Sequence, residues 1–519
     1  MVVQYNKAPV WTDAVADSRS GQLGSMPVNR PCHPRISRVI LFMASASVST
    51  ALLFARRMPI VRTRMVSVRG GGGRLFSASS ATITDNPLLK QKGLPEFDAI
   101  KSADVKPAME GLLSELETDL AGLEASLSKT QNPRYGDVVE ALEKVEAPIE
   151  YAWGVVGHLT GVMNSDELRE VHQEMQGEVV KATTKISQSP EIYRAVTAVP
   201  EESLDNVQRR IVDSSIKGMK LSGVGLEGKA KENFNTNKIR LSELSTQFSN
   251  NVLDATKAFE LIIKDKTEME GMPPSAMALC AQMAVAAGHE DATPEEGPWK
   301  LGLDMPSYLP AMQHLKSSRI RETLYRARVT RAGSENEPLI AEILKLRKEQ
   351  AEILGYESHA EVSLERKMAE NVPAVSALTE ELRDKALPAA QMELEKLTAY
   401  AKNHGFEGEK LKLWDTTYWS ERQSEELFQF KEEELRPYFA LPNVLKGLFG
   451  LCKRIFGVDI IAADGEVPVW HDDVRFFKVL DEVSGEHISS FYLDPYSRPA
   501  TKRGGAWMDV CVGRSKVSL

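Results

Sequence analysis

From about residue 84 onwards, apolar residues recur at the spacing of an amphipathic α-helix over most of the chain. Residues three and four positions apart share one face of a helix, so such a stripe predicts a helix with one face turned to a core. One stripe lies within residues 231–260 and includes Leu244 and Phe248. The clearest stripe, in residues 105–123, consists of Val105, Met109, Leu112, Leu113, Leu116, Leu120 and Leu123.

Capping residues predict the ends of several of these helices. Ser165 precedes a first turn with two acids, and Ser358 stands three residues before Glu361, as in a capping box. Gly355 closes the helix before it, because glycine tolerates the left-handed backbone that often follows a helix. Asn371 opens a long helix that ends near residue 404.

The hydrophobic period changes only after Trp470. Residues 474–481 and 487–494 are rich in Val, Ile, Phe and Tyr and flank a Ser-Gly turn, which predicts a β-hairpin. Residues 504–513 are a candidate third strand. The sequence therefore predicts a mainly α fold with a small β-sheet near the C-terminus.

The first 80 residues differ in composition from the rest. Residues 1–83 contain eleven Lys and Arg, eleven Ser and two acids, a net charge of +9, while the whole chain carries −9. The apolar run at 39–55 is short and diluted by Ser and Thr, so we expect no membrane span. An Arg- and Ser-rich, acid-poor leader is typical of an organellar transit peptide, disordered before import. The mitochondrion is favoured, with the plastid as the alternative; a disordered tail without a targeting role is the other interpretation.

The composition of the body excludes some partners. It is acidic and has no run of Lys and Arg interleaved with aromatics, so nucleic acid is not an expected partner. The four cysteines lie far apart without a CxxC pair, which fits a reducing compartment.

Residue chemistry alone predicts no active site. The nine histidines are at least fourteen positions apart, so no two of them can ligate one metal from a single helical face. The glycines of residues 223–228 match GxGxxG, but a charged helical stretch precedes them, so we interpret the segment as a turn between helices. The acidic runs at 432–434 and 472–473 are interpreted as solvated faces. No catalytic residue and no metal ligand is assigned.

Seven longer stretches carry a resemblance to a known family. In order along the chain they are residues 241–256, 301–312, 321–332, 413–421, 434–439, 470–479 and 491–508, the last reading FYLDPYSRPATKRGGAWM. They resemble oligopeptidase A and the organellar oligopeptidases of the thimet-oligopeptidase (M3) family of zinc metallopeptidases. The resemblance extends from about Asn86 to Gly513.

This resemblance implies a two-lobed helical clam with a deep channel and a small sheet beside the active site. It implies an N-terminal helical domain at residues 84–300 and part of a metallopeptidase catalytic domain at 301–519. Members of the family bind one zinc ion through an HExxH helix and a downstream Glu, and the Glu of the motif activates water. They act on short unfolded peptides, and we expect the complete form to be a monomer.

The sequence departs from the family after Gly513. In the family, the HExxH helix and the residues that stabilise the oxyanion lie further downstream, so no zinc ligand or catalytic residue can be assigned to this chain. The leading hypothesis is an organellar zinc oligopeptidase that degrades short peptides, including cleaved targeting peptides, of which this chain is an N-terminal portion, inactive and without zinc. The alternatives are a noncatalytic helical peptide-binding or adaptor module and a truncated product that does not fold.

Gly504, Gly505 and Ala506 are the candidate substrate-binding residues. A peptide that adds itself to a sheet edge is held by main-chain groups, and small residues let its backbone approach closely. Lys502 and Arg503 could meet a peptide carboxylate. The competing interpretation is a structural bulge that buries Trp507 in the core.

Overall fold

The computed structural model describes residues 2–5, 85–91, 93–515 and 517. The prediction of a mainly α fold is confirmed, since helices make up most of this part of the chain. The α-helices of the described residues are α1 (Ser102–Leu127), α2 (Ala141–Val162), α3 (Asp166–Ser187), α4 (Pro190–Thr197), α5 (Asn206–Leu221), α6 (Gly228–Ala258), α7 (Pro274–Ala286), α8 (Met305–His314), α9 (Ser318–Thr330), α10 (Gly333–Ile353), α11 (His359–Leu364), α12 (Val372–Asn403), α13 (Leu413–Phe428) and α14 (Leu441–Phe456).

Two small sheets accompany the helices. Their strands are β1 (Val2–Tyr5), β2 (Leu261–Ile263), β3 (Trp299–Leu301), β4 (Val458–Ala462), β5 (Arg475–Asp481), β6 (His487–Leu493) and β7 (Asp509–Val512). The larger sheet has the order β4-β5-β6-β1-β7, antiparallel except where β1 runs parallel to β7, and β2 pairs with β3. Strand β1 lies within the segment predicted to be a leader, and the rest of that segment falls outside the described residues.

The predicted stripe of α1 faces the main core. Val105, Met109, Leu112, Leu116 and Leu120 are buried, while the other two members of the stripe are half-buried. Helices α2 to α5 pack around this face, and the same core continues into the inner face of the hairpin β5–β6. The larger sheet is therefore joined to the N-terminal helices by one continuous apolar core.

A second core lies around the small sheet. It includes Ile263, Trp299, Leu301 and Leu324, and Trp299 and Leu301 are fully buried. Residue 300 lies in β3, within this core. The domain boundary expected there from the family resemblance remains a prediction.

The predicted caps are confirmed where the structure shows them. The Ser165 hydroxyl accepts a hydrogen bond from the Leu168 amide, and the Asn371 side chain accepts one from the Ala374 amide at the start of α12. Gly355 follows α10 with a φ of +85°. The interpretation of residues 223–228 is also confirmed: they form the turn between α5 and α6, where Gly223 has a φ of +81°.

The C-terminal hairpin is confirmed, but the third strand is shorter than predicted. Strands β5 and β6 pair antiparallel, with Phe477 opposite Phe491. Of the predicted strand 504–513, only Asp509–Val512 forms β7; the glycine-rich part before it is an irregular loop. Gly505 has a φ of +112°, which a strand does not accommodate.

None of the helices that the structure describes is both long enough and apolar enough to cross a membrane.

Candidate functional site

The loop that joins β6 to β7 is held by one buried carboxylate. Asp494, directly after β6, accepts two hydrogen bonds from Arg498, at 2.8 and 2.6 Å, and one from the Trp470 indole nitrogen at 3.0 Å. The Lys502 ammonium lies 3.0 Å from its Oδ1. Burial by itself would raise the pKa of Asp494, but these donors outweigh burial and hold the pKa well below its usual range. Asp494 is therefore ionised, and its carboxylate is occupied by its contacts with Arg498, Trp470 and Lys502.

Lys502 closes the same loop through the backbone. Its ammonium also donates to the carbonyl oxygens of Asp494, at 3.0 Å, and Tyr496, at 2.9 Å, and only 11% of the side chain is exposed. All three of its donors therefore have acceptors inside the loop. The expectation that Lys502 could meet a peptide carboxylate is wrong, because its charge is already neutralised by Asp494.

The next residues of the loop are fastened to the end of α2. The Arg503 amide donates to the Gly161 carbonyl oxygen at 2.8 Å, and the Asn164 amide donates to the Thr501 carbonyl oxygen at 2.8 Å. The Arg503 guanidinium is exposed and lies over the half-buried Trp507 ring, 5.3 Å from its centroid. Two hydrogen bonds thus fix the backbone before the glycines, and the Arg503 side chain contacts the Trp507 ring that follows them.

The three candidate substrate-binding residues lie on the outer surface of this loop. Gly504, Gly505 and Ala506 are exposed. A Cβ atom placed on Gly504 or Gly505 would have no heavy atom within 4 Å, so there is open space next to both. Their role in substrate binding remains a prediction.

Strand β7 follows the loop and is an outer strand of the larger sheet. Within the part of the chain that the structure describes, β1 pairs along one side of β7 and no strand pairs along the other. An unpaired strand edge offers backbone donors and acceptors to an extended peptide. The loop and this edge together form a surface on which a peptide could be held through its main chain.

One group of potential metal ligands occurs elsewhere among the described residues. His314, at the end of α8, lies close to Glu421 and Glu425 of α13, with one ligand atom from each within 4.8 Å of the others. The two Glu residues are four positions apart on one helix, a signal visible in the sequence. His314 is more than 100 residues away, so its presence could not be predicted.

A guanidinium group already lies inside this group of ligands. Nη2 of Arg422 is 2.9 Å from Nδ1 of His314 and 3.0 Å from Oε1 of Glu425. Burial, with the Arg422 charge, lowers the pKa of His314 to about 4, so the imidazole is neutral and accepts this hydrogen bond. A divalent cation would be repelled by Arg422, and these residues therefore do not fit the zinc site that the family implies.

His158 is a half-buried histidine that sequence reasoning did not single out, and both of its ring nitrogens are buried. Its ring lies between Phe97, with centroids 5.3 Å apart, and Trp470, with centroids 4.3 Å apart. Neither ring nitrogen has a hydrogen-bond partner among the described residues. Burial lowers the pKa of His158 to about 4, so the ring is neutral at physiological pH.

Sequence comparison relates two parts of the chain to known peptidases. Residues 311–519 match the profile of peptidase family M3, and residues 109–231 match the profile of the Neurolysin/Thimet oligopeptidase N-terminal domain. The chain is 47% identical over 447 residues to the organellar oligopeptidase A, chloroplastic/mitochondrial, of Arabidopsis thaliana, an alignment that covers 85% of this chain and 56% of the relative.

Two other relatives show the same similarity. The probable cytosolic oligopeptidase A of Arabidopsis thaliana is 46% identical over 448 residues, covering 85% of this chain and 63% of the relative. Oligopeptidase A of Escherichia coli (strain K12) is 37% identical over 443 residues, covering 83% of this chain and 63% of the relative. The chain thus spans between 56% and 63% of the length of these relatives.

Proposed function

We propose that this chain supplies the N-terminal helical domain and part of the catalytic domain of an organellar zinc oligopeptidase that degrades short unfolded peptides. Cleaved targeting peptides are among the candidate substrates. The observation that carries the proposal is the ordered match to both M3 profiles, together with 47% identity to an organellar oligopeptidase A. The complete enzyme would act as a monomer.

The contribution of this chain to substrate binding would come from the loop 503–506. A peptide without a fixed sequence is best held by main-chain hydrogen bonds, because these are the same for every side chain. The loop is rigidly fastened at Asp494 and Gly161, has open space beside its two glycines, and leads into an unpaired strand edge. These three features favour backbone recognition.

The ligands of the zinc ion would come from residues outside this chain. An M3 zinc ion polarises the scissile carbonyl and lowers the pKa of a bound water. The sequence contains no HExxH motif, and Arg422 occupies the one group of three potential ligands among the described residues. We expect the 519-residue chain by itself to leave a fluorogenic octapeptide intact and to retain no stoichiometric zinc after purification.

The decisive experiment joins residues 1–513, which keep β1, to the C-terminal remainder of the Arabidopsis organellar relative and measures peptide hydrolysis. Gly504→Val is the test variant, because Gly505 has a φ of +112° at which any side chain is strained. We expect a KM about tenfold higher, with kcat, zinc content and melting temperature unchanged, since a branched side chain blocks the approach of the peptide backbone.

Gly225→Val is the matched control, because Gly225 also has open space beside it and lies in the α5–α6 turn, far along the chain from the loop. It should leave the kinetics unchanged. A chimera that binds zinc but hydrolyses no peptide would contradict the proposed function. Unaltered kinetics in Gly504→Val would leave the loop a structural element only.

The organellar location is proposed on the basic leader and on the chloroplastic/mitochondrial relative. Residues after the leader are almost as similar to a probable cytosolic enzyme as to the organellar one. The proposed targeting signal is therefore the leader and not the rest of the chain. A fluorescent protein fused to residues 1–85 should enter mitochondria, with plastids as the alternative destination. Retention of the fusion in the cytosol would contradict this part of the proposal.

A further inference from the structure

Helices α3 and α6 border a cavity of about 280 Å³ near the end of α3. One turn before the cavity the two helices are close, since a Cβ atom on Gly177 of α3 would lie 3.9 Å from Cγ2 of Ile239 in α6. Packed helices usually fill such an interface with apolar side chains. Here six of the seven residues that line the cavity from α3, its C-cap and α6 are polar.

The walls of the cavity are held together by side-chain amides. Gln188, the C-cap of α3, is 3% exposed, and its amide nitrogen donates to Oδ1 of Asn235 in α6 at 2.7 Å. The Asn235 amide donates back to Oε1 of Gln188 at 3.2 Å. Gln188 also donates to the carbonyl oxygen of Ser222, directly after α5, at 2.8 Å. These bonds connect three helices, so the cavity is preformed.

The lining carries more positive than negative charge. Lys181, Lys185 and Lys231 contribute ammonium groups, and Glu124 of α1 contributes a carboxylate, which gives a net charge of +2. The Glu124 carboxylate accepts a hydrogen bond from the Ser189 hydroxyl at 2.6 Å. Charges of one sign around a cavity attract a counter-ion more strongly than scattered surface charges, because the surrounding protein focuses the field.

Two of the three ammonium groups have no hydrogen-bonded counter-charge. Lys181 is paired with Glu178 at 2.6 Å. Lys185 lies 3.6 Å from Glu117, beyond hydrogen-bond distance. Lys231 has no ion pair within the part of the chain that the structure describes. An ammonium group has three donors, so Lys185 and Lys231 can both bind the oxygens of a ligand.

A buried hydroxyl without a partner lines the same cavity. Thr184 is 3% exposed, and its Oγ1 has no hydrogen-bond partner among the described residues. The neighbouring Thr183 donates to the carbonyl oxygen of Val179, four positions earlier, at 2.9 Å, which is the usual bond of a helical threonine. Buried polar groups are almost always hydrogen-bonded in native proteins. The Thr184 hydroxyl therefore indicates a polar ligand at this place.

We propose that the cavity between α3 and α6 binds a small phosphate-bearing anion. A phosphate monoester carries about two negative charges at neutral pH and three acceptor oxygens, which match the net charge of the lining, the ammonium groups of Lys185 and Lys231 and the Thr184 hydroxyl. A volume of about 280 Å³ lies just below the range of cavities that bury drug-sized molecules, so the rest of the ligand is small. Free phosphate and small phosphate monoesters share this chemistry.

The test measures binding of inorganic phosphate and of glycerol 3-phosphate to the full 519-residue chain by isothermal titration calorimetry. Sodium chloride keeps the ionic strength constant, because surface electrostatics depend on salt. We expect one site per chain. Tighter binding of glycerol 3-phosphate would identify a monoester as the ligand, and tighter binding of inorganic phosphate would identify the free anion. The absence of binding by both probes would overturn the proposal.

Charge variants on one helix locate the site. Lys231→Gln should weaken binding about tenfold, and Lys185→Gln/Lys231→Gln about 100-fold, because each change removes a charge-assisted hydrogen bond. Lys229→Gln is the matched control, since Lys229 is exposed on the same helix and does not line the cavity. It should change the affinity less than about twofold. Equal effects of Lys229→Gln and Lys231→Gln would overturn the proposal.

Thr184→Val separates ligand binding from structural stability. It replaces the hydroxyl by a methyl group of the same shape, so without phosphate the melting temperature should stay unchanged or rise, while phosphate should bind about tenfold more weakly. A lower melting temperature with unchanged phosphate affinity would overturn the proposal, because the hydroxyl would then be bonded within the protein.

The chimera described above provides a second protein for the same variants, and none of these measurements uses peptide hydrolysis. A chimera that binds phosphate with the expected variant effects but cleaves no peptide would support this site and contradict the proposed function. A chimera that cleaves peptides but binds neither probe would do the opposite.

Discussion

Two regions of this chain differ in how many of their apolar residues are buried. In the N-terminal helices, α1 alone contributes seven buried residues to a core that extends through α5 and into the sheet. Between Met368 and Phe456, by contrast, the buried apolar residues are Ala401 and Tyr418. Nineteen of the thirty-two exposed large apolar side chains among the described residues lie between Met368 and Ile461.

Helix α12 shows what this difference means physically. Every residue from 373 to 396 is exposed, and the helix is held mainly at its C-terminal end, where the Tyr400 hydroxyl donates to Glu426 at 2.8 Å. A helix in water derives most of its stability from packing one face, so a long unpacked helix is marginal. The N-terminal helices bury one face each in a shared core, whereas α12 and α14 leave most of their apolar side chains exposed.

Helix α13 joins the poorly packed region to the second core through a buried ion pair. Arg321 of α9 and Asp415 of α13 are separated by 2.7 Å, and their side chains are 2% and 4% exposed. Arg321 also donates to the carbonyl oxygens of Trp414, at 3.0 Å, and Lys316, at 2.9 Å. This pair fixes the start of α13 to the second core, and it is the strongest described attachment of the poorly packed region.

The largest expected effect is the loss of this connection. Asp415→Ala leaves the Arg321 guanidinium buried without its counter-charge, which we expect to lower the free energy of unfolding by about 3–5 kcal/mol. Urea unfolding measures the loss, and hydrogen exchange should show α13 opening first. The double variant Arg321→Met/Asp415→Leu removes both charges and should recover most of the stability. A loss below about 1 kcal/mol in Asp415→Ala would mean that α13 is held by other contacts.

The second effect compares one leucine from each region directly. Leu120 in α1 is 2% exposed and Leu382 in α12 is 61% exposed. Leu120→Ala removes buried apolar surface and leaves a cavity, so it should lower the unfolding free energy by about 3 kcal/mol, whereas Leu382→Ala should change it by less than about 0.5 kcal/mol. The urea midpoints of the two variants measure these losses of stability. Comparable losses would show that α12 is packed in solution and would remove the contrast.

The smallest effect is the pH dependence that His158 of α2 contributes. Burial, opposed in part by Asp509 and Asp494, lowers the pKa of His158 from 6.5 to about 4 in the folded chain. The unfolded chain therefore binds the proton first, and stability that is full above pH 6.5 falls as the pH decreases towards 4. Between pH 7.5 and pH 5 this group should reduce the unfolding free energy by roughly 2 kcal/mol.

His158→Phe is the corresponding variant, because it keeps an aromatic ring between Phe97 and Trp470. Other groups also titrate in this range, so the informative quantity is the difference in pH slope between wild type and variant. The slope should be smaller in His158→Phe, by urea unfolding at several pH values. Identical slopes would mean that His158 is accessible to water in the folded state.

Much of the local structure followed from the sequence because its causes are local. The stripe from Val105 to Leu123, the caps at Ser165 and Asn371, and the hairpin around Gly485 each depend on residues within a few positions of one another. The third strand was predicted to start at residue 504, whereas β7 starts at Asp509. The sequence does not distinguish a glycine with a positive φ, such as Gly505, from a glycine within a strand. Gly504, Gly505 and Ala506 were indicated by their small side chains next to a predicted strand, read together with the resemblance to metallopeptidases.

By itself, the sequence determined which segments are helical, where they begin and end, and to which family the chain is similar, because periodicity, capping and motif order are all read along the chain. Only the tertiary structure decided which charged side chains are paired within the fold and which are available to a ligand. Asp494 neutralises Lys502, Arg422 occupies the space between His314 and Glu425, and Arg321 meets Asp415 across 94 positions. It also decided that the apolar row from Leu441 to Ile455 of α14 is exposed, because the same spacing of three and four describes a helix whose apolar side is buried in a core and one whose apolar side is not.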